Sequence, residues 1–149
     1  LGEEPRYFGL MGGTFDQHPW GSGDTVTVKV RDTAHPLTQP FQAGGDKFDI
    51  KDEIYQLKNY DAANRHNLLG LYLGEGTKTD MKKGGIKRTD GDFAISWVRE
   101  QGKGRVFYCS LGHNEHVYWT PEVVRYYLGG LQFALGDLQV PVKNGSTKP

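Results

Sequence analysis

Two apolar runs, residues 93–98 and 105–111, are separated only by Glu100-Gln101-Gly102-Lys103-Gly104, a segment with the composition of a turn. This arrangement predicts a β-hairpin over 93–111. The second arm, Arg105-Val106-Phe107-Tyr108-Cys109-Ser110-Leu111, is apolar at both parities, so it reads as a central strand covered on both faces. A polar loop and then a helix follow it. Thr120 is placed to cap that helix, Pro121 suits its first position and Glu122 meets its positive end. Val124, Tyr127, Leu128, Leu131 and Leu135 recur at helical spacing, and Gly136 is a fitting stop. Gly129 and Gly130 inside the helix each cost about 1 kcal/mol relative to alanine, which implies close approach of the backbone to a neighbouring layer. Strand, loop and helix in this order predict an α/β layer structure.

Upstream, Thr25-Val26-Thr27-Val28-Lys29-Val30 alternates with period two and predicts a half-buried strand carrying Val26, Val28 and Val30 on one face. Residues 68–73 predict a further strand. The chain has 149 residues, enough for one domain with a sizeable core. Glycine is abundant, at 21 residues, about twice the usual ~7%. Eighteen basic residues balance eighteen acidic ones. That neutrality argues against nucleic acid or a polybasic membrane contact. Lys78, Lys82, Lys83, Lys87 and Arg88 cluster without aromatic neighbours and read as a solvated loop. No apolar run reaches the ~18 residues of a membrane span, and no signal-peptide pattern is present, so cytoplasm and periplasm both stay open. One cysteine permits no internal disulfide.

In open α/β sheets, ligands gather beyond the carboxyl ends of strands. The loop after the second hairpin arm, Gly112-His113-Asn114-Glu115-His116, followed by Tyr118 and Trp119, is therefore the first candidate site. His113 and His116 are three apart, which fails the zincin spacing, and the cysteine pair of a zinc deaminase is missing. Helix capping by this loop competes with a ligand-facing His113. Cys109, inside an apolar strand, reads as an inert buried thiol rather than a nucleophile. Asp52 and Glu53 are adjacent on an extended segment and point to opposite faces, so only one of them can face a ligand. His18 and His35 each precede a proline in turn-rich segments. For His35, bonding to turn backbone is the favoured reading.

Gly12-Gly13-x-Phe15-x-x-His18-Pro19, Asp32-x-x-His35-Pro36-Leu37-Thr38, Asp52-Glu53-Ile54-Tyr55, the segment from Ser96 to Tyr108, Leu111-Gly112-His113 and the segment from Gly130 to Gly136 together resemble the ThuA-like family, named for trehalose utilisation. The likeness runs from about Tyr7 to Asp137. It implies the flavodoxin-like α/β sandwich of the class I glutamine amidotransferase-like superfamily. It also implies that residues 1–137 form the C-terminal portion of one such domain, lacking its N-terminal strands, with 138–149 a flexible tail. Such a truncated sheet would leave an edge that invites homo-oligomers.

By the same resemblance, His113 occupies the place of the amidotransferase catalytic histidine, with no cysteine at the nucleophile position. The expected function is binding of a sugar or sugar derivative in a crevice lined by His18, His35, Asp52 or Glu53, His116, Tyr118 and Trp119, with His113 as acid/base. A divalent metal such as zinc shared by His18 and His113 is one version of that site. The alternatives are a non-catalytic module for carbohydrate or protein, and a metal-dependent hydrolase.

Overall fold

The computed structural model describes residues 5–60 and 62–142. Its elements in chain order are α1 (Pro5–Met11), β1 (Thr14–Trp20), β2 (Thr25–Val30), a 3-10 helix (Pro36–Gly44), β3 (Lys47–Lys51), β4 (Ile54–Lys58), β5 (His66–Leu71), β6 (Ala94–Gln101), β7 (Gly104–Cys109), a 3-10 turn (Glu115–Trp119) and α2 (Pro121–Leu135). Five strands form one sheet in the order β3-β2-β5-β6-β7, and β1 and β4 form a separate two-stranded ladder. Every described pairing is antiparallel. Over the described residues the chain is thus a mixed α/β body, as expected, built on antiparallel sheets.

Strand β2 spans the predicted residues, and Val26, Val28 and Val30 are buried as the alternation requires. The 93–111 hairpin is present, with Gly102 at φ 59 in its turn. The central strand, however, is β6. Residues 94–98 are all buried, while β7 lies at the sheet's described edge and is half-buried along most of its length. The apolar content of β7 has another cause. Phe107 packs under α2, and Tyr108 stacks on Trp97 from the opposite side at 3.9 Å between ring centroids.

Helix α2 forms where expected and ends at Gly136 in the left-handed region, φ 95. The face it buries differs from the expected one. Val123, Tyr126, Gly130 and Phe133 point into the core, and Val124, Leu128, Leu131 and Leu135 are exposed. The helix carries two apolar stripes, and periodicity alone does not say which one meets the sheet. Gly130 settles the orientation, because a Cβ there would overlap the Phe107 ring. Thr120 does not cap with its side chain; its hydroxyl donates to the His116 carbonyl at 3.2 Å.

The main core lies between one sheet face and α2 with the 36–44 helix, through Val28, Ile95, Leu37, Phe41, Tyr126 and Phe133. On the opposite face Trp97, Leu57 and Ala94 form a second cluster, where the Arg65 guanidinium lies between the Tyr60 and Trp97 rings at 4.2 and 4.6 Å. The basic segment is a fastened strap rather than a free loop. Lys83 pairs with Asp24, Lys87 with Asp16, and the Gln56 side-chain oxygen accepts the Lys87 and Arg88 N–H groups. The expected flexible tail also differs over 138–142. Leu138, Val140 and Val142 pack on the core, and His35 Nε2 donates to the Pro141 carbonyl at 3.0 Å. Residues 143–149 lie outside the described residues.

Candidate functional site

The sharpest constraint on the site comes from the short link between β3 and β4. Asp52 is fully buried, and its two oxygens accept the N–H groups of Gly112 and Asn114 at 2.6 and 2.8 Å. A carboxylate bound by two backbone donors is a strong, directional clamp. It fixes the loop that follows β7 against the link 60 residues upstream. Asn114 completes the clamp, since its side-chain amide donates to the Ser22 and Lys51 carbonyls at 2.8 and 2.9 Å. Gly112 sits at φ 116 beneath the Tyr118 hydroxyl, a backbone conformation and a space that exclude a side chain.

The clamp aims His113 outward between its two bonded neighbours. Glu53 projects the other way from Asp52, as the alternation of an extended chain demands. Its Oε1 lies 3.6 Å from His113 Nδ1, and its Oε2 lies 3.7 Å from His18 Nδ1. One carboxylate therefore stands between two imidazoles. The Glu53 side chain is largely enclosed, whereas His18 and His113 are about half exposed. His18 reaches this point because the β1–β4 ladder is irregular between Gln17 and Trp20, where Pro19 has no N–H to give. Phe15 stacks on His18 with rings 6.1 Å apart, and Tyr55 meets Phe15 edge-on at 5.2 Å. Burial, followed by the Glu53 and Asp52 charges, raises the Tyr55 phenol pKa, so it remains a hydroxyl.

The other expected crevice residues are elsewhere. His35 is buried, accepts the Leu37 N–H at its Nδ1 and bonds Pro141 through Nε2, so both ring nitrogens serve the fold. It packs edge-on against His66, which is held by Asp32 at 2.8 Å. Asp52 binds backbone and is not available to a ligand. His116 lines a separate cavity beyond β3. Tyr118 stacks on Tyr127 beside a depression lined by Phe107, Cys109, Val124 and Leu131, and Trp119 is 80% exposed. The two aromatic side chains are therefore separated, Tyr118 against Tyr127 and Trp119 in solvent. In a 3-10 turn, successive side chains are about 120° apart, which scatters neighbours over different surfaces.

Among the described residues, no group of three or more His, Cys, Asp or Glu side chains is placed to hold a metal ion. Cys109 is an inert thiol by environment, since burial pushes its pKa up to about 11. The sequence gives Asn114 and Tyr55 no role of their own. For Asn114 the only sequence signal is its place between His113 and Glu115, and its role depends on two carbonyls distant in sequence.

The family model for ThuA, trehalose utilisation, matches residues 2–134. The chain belongs to the ThuA family. No curated protein and no solved structure matches it.

Proposed function

We propose that this protein binds a sugar or sugar derivative in the crevice of His18, Glu53 and His113, and that His113 acts there as general acid/base. The observation that carries this reading is the placement of Glu53 between the two imidazoles. A carboxylate beside His113 Nδ1 favours the proton on that nitrogen and leaves Nε2 as the group offered to a ligand. The 3.6 Å separation is loose for a hydrogen bond, and such contacts commonly tighten when ligand is bound. His18 supplies a second imidazole beside Glu53, and membership of the trehalose utilisation family supports a carbohydrate as the ligand.

The same reading takes the described α/β body as part of a flavodoxin-like, class I glutamine amidotransferase-like domain.

Incubation with trehalose, other disaccharides and their oxidised forms, wild type against His113→Ala, tests the assignment. Turnover that disappears in the variant supports it. Absence of both turnover and binding in the wild type defeats it.

A non-catalytic binding module is the second reading. It is favoured by the exposed row Val124, Leu128, Leu131 and Leu135 beside the β7 edge, a surface of the kind used for protein contact. Sugar binding without turnover, equal in wild type and His113→Ala, supports that alternative.

A further inference from the structure

Helix α2 carries heptad spacing twice. Val123, Tyr126, Gly130 and Phe133 meet the core, and Val124, Leu128, Leu131 and Leu135 repeat the same kind of spacing on the exposed side. A narrow apolar strip of this form fits one further helix laid along it.

The strand beside the strip sets the direction of that helix. Strand β7 is at the edge of the described sheet. The Ser110 N–H donates to the Ile95 carbonyl at 3.0 Å, so residues 106, 108 and 110 turn their main-chain groups to β6, and Arg105, Phe107 and Cys109 turn theirs outward. Phe107 is the middle one. Antiparallel pairing of this edge with its own copy therefore places a two-fold axis at Phe107 and sets Arg105 opposite the partner's Cys109.

Helix α2 is centred on that axis. It runs antiparallel to β7, with Gly136 at Arg105, Gly130 at Phe107 and Val124 beside Cys109. The middle of the exposed row thus coincides with the middle of the strand, and the axis brings Leu128 against the partner's Leu131 and Val124 against the partner's Leu135. The two ends are also complementary. At the Val124 end is a depression of about 470 Å³ lined by Phe107, Cys109, Tyr118, Tyr127 and Leu131, and at the other end Leu135 stands 75% exposed.

We propose that a second copy of this chain docks here, joining two sheets edge to edge through β7 and packing the two α2 helices antiparallel along their exposed rows. The chain's own surface satisfies the strand edge, the helix row and the depression about a single axis, and this commits the site to a second copy. One helix and one strand form a strip about 20 Å long and about 15 Å wide. Such an interface is small, so the dissociation constant should be on the order of 10 µM. The surface includes none of His18, Glu53 and His113, and the proposal is independent of the activity assigned to them.

Sedimentation velocity on the full chain from about 1 to 200 µM tests it. The wild type should pass from monomer to dimer and stop there, because a two-fold interface is closed. Leu128→Lys/Leu131→Lys and Leu128→Glu/Leu131→Glu change only exposed side chains, are to be checked for native circular dichroism, and should each weaken the dimer at least about thirtyfold. An equimolar mixture of the two variants should restore it, since the axis sets opposite charges face to face. In the wild type, hydrogen exchange at the Phe107 amide should slow at least about fivefold as the dimer forms. A wild type that stays monomeric throughout the range, growth beyond two chains, undiminished association of both variants, no recovery on mixing, or a Phe107 amide indifferent to concentration would each overturn the proposal.

Discussion

The Asp52 carboxylate receives the backbone N–H groups of Gly112 and Asn114 and so ties the β3–β4 link to the loop that carries His113. Removing it leaves two inward-facing donors without their acceptor. Hydrogen bonds to a charged group contribute about 1.5–3 kcal/mol each, and unsatisfied buried donors add a penalty. Asp52→Ala should therefore lower the unfolding free energy by about 3–4 kcal/mol, the range for breaking a buried charged network. Asp52→Asn, which retains one acceptor oxygen, should lose less. Urea titration followed by tryptophan fluorescence measures both. A loss below about 1 kcal/mol for Asp52→Ala would show that the clamp is replaceable by solvent.

Gly129 and Gly130 are adjacent in α2 but should respond oppositely to alanine. A Cβ at Gly130 would overlap the Phe107 ring, which is held between Tyr126 and Tyr127, so overpacking of about 1–3 kcal/mol outweighs the ~1 kcal/mol gain in helix propensity. At Gly129 the nearest neighbour is a terminal Leu37 methyl at 3.0 Å, which can give way. Thermal melts should place Gly130→Ala below wild type and Gly129→Ala level with it or above. Equal melting temperatures for the two variants would contradict this packing.

How far the sequence discloses this architecture depends on the range of the interactions involved. The alternation in β2, the turn at Gly102 and the Gly136 stop are local signals, and each appears at its predicted place. The buried face of α2 was not legible, because Val124 and Val123 are equally apolar and the choice rests on Phe107 from another element. Strand β7 reads as central for a similar reason: apolar side chains at both parities report covered faces but not its place at the edge of the described sheet. Within the site, the opposite facing of Asp52 and Glu53 follows from strand geometry alone. The pairing of Glu53 with His18 and His113 spans 35 and 60 residues, and no local pattern carries it. His35 illustrates the converse, since its proline neighbour correctly signals turn bonding and its partner Pro141 lies in a segment that reads as tail.

Cys109 provides a test of the inert-thiol assignment. Its pKa, raised by burial to about 11, leaves very little thiolate at neutral pH, and the thiolate is the reactive form. Native protein at pH 7.5 should react with iodoacetamide at least about a hundredfold more slowly than the urea-unfolded chain, whose thiol has an ordinary pKa near ~8.5. Mass spectrometry at timed intervals reads the difference. Comparable rates in the two states would return Cys109 to the list of reactive groups.

Stability should also depend on pH through His35. Burial lowers its pKa from the ordinary value of 6.5, with the charge of nearby His66 acting in the same direction, while the Pro141 carbonyl and the Asp32 carboxylate oppose it. The unfolded chain then binds the proton more readily than the folded one. The stabilising effect of a neutral His35 is complete above the unfolded pKa and diminishes as pH falls below about 6.5 toward the lower folded value. Protonation at Nδ1 would also remove the acceptor for the Leu37 N–H that starts the 36–44 helix. Urea midpoints should therefore fall between pH 7.5 and pH 5 in the wild type. Carboxylates and the other histidines contribute to that slope, so His35→Gln, which cannot titrate, is the control. Its midpoint should vary less over the same interval, and a variant slope as steep as that of the wild type would remove His35 as a cause.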